Sequence, residues 1–184
     1  MKGQTLLKGR IIFTIVVSLS IWTLLVWNYF HGGVPSHHVL ARKDLPLISN
    51  WWGALTLPVL SWYLTHRIAI RIKESSDQQA IRKAVLAILL SLVYGALISI
   101  FFTLGPKELP GYLLQGIFVL TLFFPLYRAE YLLGFVLGMT YTFGGVLPLG
   151  IGSVLALICF VLYQGLRLIL KGIKWIIGRS SAKN

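Results

Sequence analysis

The chain has 184 residues, of which 57% are hydrophobic and only 12% charged, with 17 Lys and Arg against 5 Asp and Glu for a net charge of +12. A soluble domain averages about 45–50% apolar and roughly 25% charged residues, so this balance excludes an ordinary water-soluble globule. It also argues against nucleic-acid binding despite the positive charge, because no binding motif accompanies the basic residues and they fall at the ends of apolar runs.

Six apolar segments follow one another along the chain, at about residues 11–30, 51–70, 84–104, 111–127, 131–147 and 151–170. Each approaches the ~17–25 residues that cross a hydrocarbon core, the fourth and fifth being short enough for a re-entrant pair to be the alternative. The expected fold class is therefore an all-α integral membrane protein, a single domain built as a bundle of six transmembrane helices. The first segment follows Lys2, Lys8 and Arg10 like a signal peptide. It is longer than a typical signal core and lacks a small-residue cleavage site, so it reads as a retained span.

Six spans sort the basic residues. Fourteen fall on one side: Lys2, Lys8, Arg10, Arg67, Arg71, Lys73, Arg82, Lys83, Arg128, Arg167, Lys171, Lys174, Arg179 and Lys183. Only Arg42, Lys43 and Lys107 fall on the other. The positive-inside rule then places both termini in the cytoplasm, with a bacterial inner membrane as the expected location. The partner this implies is a bilayer whose anionic headgroups meet the basic face. Arg167, Lys171 and Lys174 repeat at i, i+4 and i+7, so residues 171–184 read as a basic cytoplasmic tail that begins as helix along that surface.

Within the second span Pro58 removes one helical hydrogen bond and predicts a kink. In the fifth, Gly134 and Gly138 form a G-x-x-x-G pair that allows a neighbouring helix to approach closely. Gly144-Gly145, Pro148, Gly150 and Gly152 predict a tight or broken connection before the sixth.

Residues 31–50, the expected extracytoplasmic loop, carry three of the four histidines: His31, His37 and His38. Gly32-Gly33 and Pro35 force turns, which bring the chain back on itself. His31, His37, His38 and Asp44 are the types that hold zinc or a non-haem metal. The bland alternative is a polar loop at the interface, with Trp51 and Trp52 as headgroup-level anchors beside Asn50. His66 lies about 22 Å further along its helix, at the wrong depth to share a haem with the others, so haem is not expected. Cys159 is the only cysteine, which excludes an internal disulfide. Glu130 sits at the start of the fifth span, where it is expected to pair with Arg128 or favour the helix dipole. Tyr141, with Thr140 and Thr142, is a candidate polar contact near the glycine-rich connection.

These residues carry three functional expectations. The first is a transporter or accessory subunit that handles a small ligand or ion at an extracytoplasmic site, with His31, His37, His38, Asp44, Asn50, Trp51, Trp52, Glu130 and Tyr141 as ligand candidates. The second is a metal-dependent membrane enzyme or oxidoreductase using the loop histidines. The third is a structural subunit, with homo-oligomer or membrane-complex partners.

Overall fold

A computed structural model describes residues 2–38, 44, 46–75, 77–106 and 108–181, with the side chains of 2 and 174–181 excepted. It is all-helical apart from one small hairpin. The helices are α1 (Lys2–Phe30), α2 (Gly53–Glu74), α3 (Ala80–Leu104), α4 (Leu109–Thr121), α5 (Ala129–Phe143) and α6 (Val146–Ser181), and the strands β1 (Ser36–His38) and β2 (Leu47–Ser49) lie between α1 and α2. Among the described residues three helices are long and apolar enough to cross a membrane, over Gly3–Phe30, Ala80–Leu104 and Val146–Ile173. The chain is thus an all-helical protein with three such helices. α2 has 22 residues but carries Ser61, Thr65, His66, Arg67 and Arg71.

The helix boundaries depart from the hydropathy reading where backbone chemistry intervenes. α4 stops at Thr121 although apolar residues continue to Leu126. Pro125 disfavours helical geometry in the residue before it, and residues 122–128 fold as successive turns, with the Leu126 N–H donating to Phe124 at 2.8 Å and the Arg128 N–H to Pro125 at 3.1 Å. α5 stops at Phe143 because Gly144 adopts φ +71°, a conformation L side chains rarely take. Only Gly144 and Gly145 separate it from α6, which starts five residues earlier than its apolar run because Pro148 is tolerated in a first helical turn. Pro58 lies inside α2, which continues through it.

The hairpin was not legible as periodicity. Gly32 and Gly33, at φ +110° and +92°, turn the chain out of α1. β1 and β2 then pair antiparallel with Ser36 opposite Ser49, His37 opposite Ile48 and His38 opposite Leu47. The Asn50 N–H donates to the Pro35 carbonyl at 3.1 Å and closes the unit.

The bundle has two distinct ends. At the hairpin end, the buried Asn50 lies against Gly144, and Gly53 of α2 abuts Gly145. At the opposite end, Gly3 of α1 approaches Lys73, Arg71 reaches Glu130, and Lys83 pairs with Asp77 at 2.7 Å. This end also carries Arg128, and we call it the basic end. α5 occupies the middle of the bundle, packed against α2, α3 and α6. Leu133 and Val136 of α5 are fully enclosed, as are Leu57 of α2 and Ile98 of α3. Lipid chains are as apolar as leucine, so in a bilayer such contacts stabilise by close packing more than by removal from water.

The glycine pair meets that requirement. A Cβ on Gly134 would overlap the Ser91 hydroxyl and the Ile88 carbonyl, and one on Gly138 the Leu92 carbonyl, both on α3. Gly95 returns the contact, since a Cβ there would strike the Phe135 carbonyl. The G-x-x-x-G expectation is met at the α3–α5 seam, with glycine on both sides.

Candidate functional site

The sequence-predicted residues separate into two places, and the structure adds a third. The loop histidines lie at the hairpin end but face different neighbours. His31 stacks on Trp27 with ring centroids 3.9 Å apart and planes 13° from parallel. Its Nδ1 donates to the Trp27 carbonyl at 2.9 Å, which places the lone pair on Nε2. His37 and His38 are consecutive on β1 and so project to opposite faces of the hairpin. His37 packs on Phe143 at 6.3 Å, and its Nε2 is buried without a hydrogen-bond partner among the described residues. Asp44 is exposed, and Arg42 and Lys43 lie outside the described residues. Among the described residues no three His, Cys, Asp or Glu side chains converge as a metal would require.

Asn50 is 9% exposed and plugs the space above Gly144. Trp51 and Trp52 point outward, and Trp22 holds α1 to the start of α2 by donating Nε1–H to the Ala54 carbonyl at 3.0 Å. Tyr141 is 80% exposed and turns away from the bundle interior. At the hairpin end, among the described residues, Asn50 is buried while Trp51, Trp52 and Tyr141 face outward.

Glu130 is the second place, at the basic end. It is 1% exposed and sits in the first turn of α5, where the helix dipole favours a carboxylate as expected, but its ion-pair partner is not Arg128. Arg71, near the end of α2, donates Nη1–H to Glu130 Oε2 at 2.8 Å, while Nη2 faces Oε1. The pair is one charge-assisted hydrogen bond with a second close contact of opposite charges beside it, a strong arrangement for a guanidinium and a carboxylate. The expected local partner loses because Arg128 is exposed at the helix start, whereas Arg71 reaches across from a neighbouring helix.

The third place was not singled out from the sequence. A cleft of about 310 Å³ opens between α3, α4, α5 and α6. Leu90, Ile117, Leu120, Phe135, Leu155 and Ala156 supply much of its wall. Two of its polar groups are already engaged: the Tyr94 hydroxyl donates to the Leu113 carbonyl at 2.6 Å and the Ser91 hydroxyl to the Ala87 carbonyl at 2.8 Å. Cys159 forms part of the wall, with its Sγ 2.9 Å from the Thr121 hydroxyl. Such a surface offers dispersion contacts and almost no hydrogen bonds, and its size sits at the lower edge of ligand pockets.

The cleft exists because helix lengths differ. α4 has 13 residues and α5 has 15, about 20 and 22 Å long. They fill less of the gap beside α3 and α6 than full-length neighbours would. Toward the basic end the cleft runs down to Leu126 and Tyr131. Immediately beyond Leu126, the Tyr127 ring meets Phe160 at 5.2 Å and Tyr163 at 5.7 Å. The Arg167 guanidinium lies over Tyr163 at 5.7 Å. Arg128 follows Tyr127 in the chain, and it and Arg167 are both exposed.

No family model, no curated protein and no solved structure matches this chain.

Proposed function

We propose that this is a six-span integral membrane protein, with both termini in the cytoplasm of a bacterial inner membrane, that handles a small ligand bearing an apolar chain, as a transporter or accessory subunit. The observation that carries this reading is the apolar cleft between α3 and α6. A cavity of this composition at mid-bundle depth has no use for water and faces hydrocarbon laterally, so a chain from the bilayer is its natural occupant. The alternation of helix direction from α1 to α6, with basic residues gathered at one end, supports the six crossings and their orientation. Full crossing by α4 and the turns after it, rather than re-entry, is supported by Tyr127. It meets residues of α6 about 21–26 Å from the start of that helix.

The test replaces Phe124, a cleft residue, with photoreactive benzoylphenylalanine in protein reconstituted into phospholipid vesicles, and reads adducts by intact mass. Phe123, 72% exposed and outside the cleft, serves as the control position. Ala156→Phe fills the cleft from α6. Lipid adducts at position 124 are expected to fall several-fold in Ala156→Phe while those at 123 persist. Equal labelling at 124 with the cleft filled, or covalent protein dimers in place of lipid adducts, would show that no bilayer chain enters.

A second reading keeps the ligand or ion contact at the hairpin end. It is favoured by the buried, unpartnered Nε2 of His37. The metal version of that site predicts stoichiometric zinc or iron in purified protein that disappears in the His31/His37/His38 triple alanine variant. Given the divergent directions of these rings, we expect elemental analysis to find no such metal. Metal lost with the histidines would restore an enzyme reading.

A further inference from the structure

We propose that the cleft selects an anionic lipid of the cytoplasmic leaflet, with its chain between α3 and α6 and its headgroup at Arg128 and Arg167; this rests on the chain-binding reading above. The argument starts from the order of residues around the cleft's basic end. Leu126 is wall, and the next two residues are Tyr127 and Arg128. Across from them on α6, Cys159 is wall, Phe160 and Tyr163 contact Tyr127, and Arg167 covers Tyr163. From Cys159 to Arg167 is eight residues, about 12 Å along the helix. The wall therefore grades from aliphatic through aromatic to cationic in the direction an acyl chain grades into its headgroup.

Among the described residues no carboxylate pairs with Arg128 or Arg167. Glu130 lies two residues from Arg128, but it is buried and its charge is paired with Arg71. Arg71 is thereby neutralised, while Arg128 and Arg167 present their guanidinium groups at the surface. A guanidinium can bind phosphate oxygens in a forked, two-bond geometry. The Tyr127 and Tyr163 rings stand between the aliphatic wall and the arginines, the usual place of tyrosine at a membrane boundary. A zwitterionic choline headgroup satisfies the cleft but adds a cation beside two arginines. A phosphatidylglycerol or similar anionic headgroup does not.

The experiment uses the full chain with benzoylphenylalanine at position 124, in vesicles of equal phosphatidylglycerol and phosphatidylcholine with identical acyl chains. The adduct mass identifies which lipid occupied the cleft. The expected result is about a tenfold preference for phosphatidylglycerol, weakened by salt, since each cation at a membrane surface contributes modestly and is screened. In the Arg128→Gln/Arg167→Gln variant the preference is expected to fall to near unity, with phosphatidylcholine adducts undiminished. The undiminished labelling also shows that the variant is folded. Equal labelling by the two lipids in the unmodified chain, still abolished by Ala156→Phe, would overturn headgroup selection and leave chain binding standing. Cleft labelling by neither lipid would overturn both. A preference unchanged in the double variant would move the headgroup contact away from these arginines and overturn the assignment.

Discussion

Arg71→Ala is expected to be the most destabilising single charge substitution in the protein. It removes the partner of a carboxylate that is 1% exposed, leaving Glu130 among apolar side chains at the meeting of α2 and α5. Breaking a buried pair from one side costs about 3–5 kcal/mol, because the remaining charge keeps its desolvation cost and loses its compensation. For a chain of this length that corresponds to a fall on the order of 10 °C in unfolding midpoint. Glu130→Ala is expected to cost less, since the Arg71 side chain is 38% exposed and turns to water once released. Arg71→Leu/Glu130→Leu removes both charges together and is expected to recover most of the loss. The protein carries its own reporter: Cys159 is the only cysteine and is 1% exposed, so a thiol-reactive fluorophore reads unfolding in detergent directly. A single Arg71→Ala midpoint equal to the unmodified protein would show that the pair contributes nothing to the fold.

That ion pair also shows where sequence reading stops. The two residues are 59 positions apart, and no local rule joins them. Glu130 was recognisable as unusual because it begins an apolar segment, but its nearest basic residue in the chain is the wrong partner. The cleft was hidden for a related reason. Its wall comes from four helices, and apolar residues such as Ile117, Phe135 and Leu155 look alike in sequence whether they touch a helix, lipid or empty space. Hydropathy found all six helices because it needs only composition over a window. It misplaced their ends where Pro125, Gly144 and Pro148 act, since those residues work through backbone geometry. The hairpin is three residues per strand, too short for alternation to register. The histidines stood out by identity, yet identity does not fix direction: a helix terminus and the two faces of a strand point them apart.

The glycines of α5 are the opposite case, where a short motif predicted a contact and the fold supplies its reason. Gly134 lies where the backbones of α3 and α5 touch. Substituting alanine places a methyl group against the Ile88 carbonyl and the Ser91 hydroxyl, and the carbonyl cannot rotate away without breaking its own helix. Overpacking a well-packed core costs about 1–3 kcal/mol when side chains can shift, and more when backbone must move. Gly134→Leu is therefore expected to exceed that range and to separate α3 from α5. Since Ser91 and Phe135 belong to both the seam and the cleft, separation opens the cleft wall as well. Gly150→Ala, where the methyl would meet nothing within 4 Å, is the matched control and is expected to be neutral or slightly stabilising in its helix. The Cys159 thiol assay orders the set: Gly150→Ala near the unmodified midpoint, Gly134→Ala well below it, and Gly134→Leu lower still or unfolded on extraction. If Gly134→Leu melted with Gly150→Ala, the helices would not be in backbone contact, and the tight α3–α5 seam that frames the cleft would be wrong.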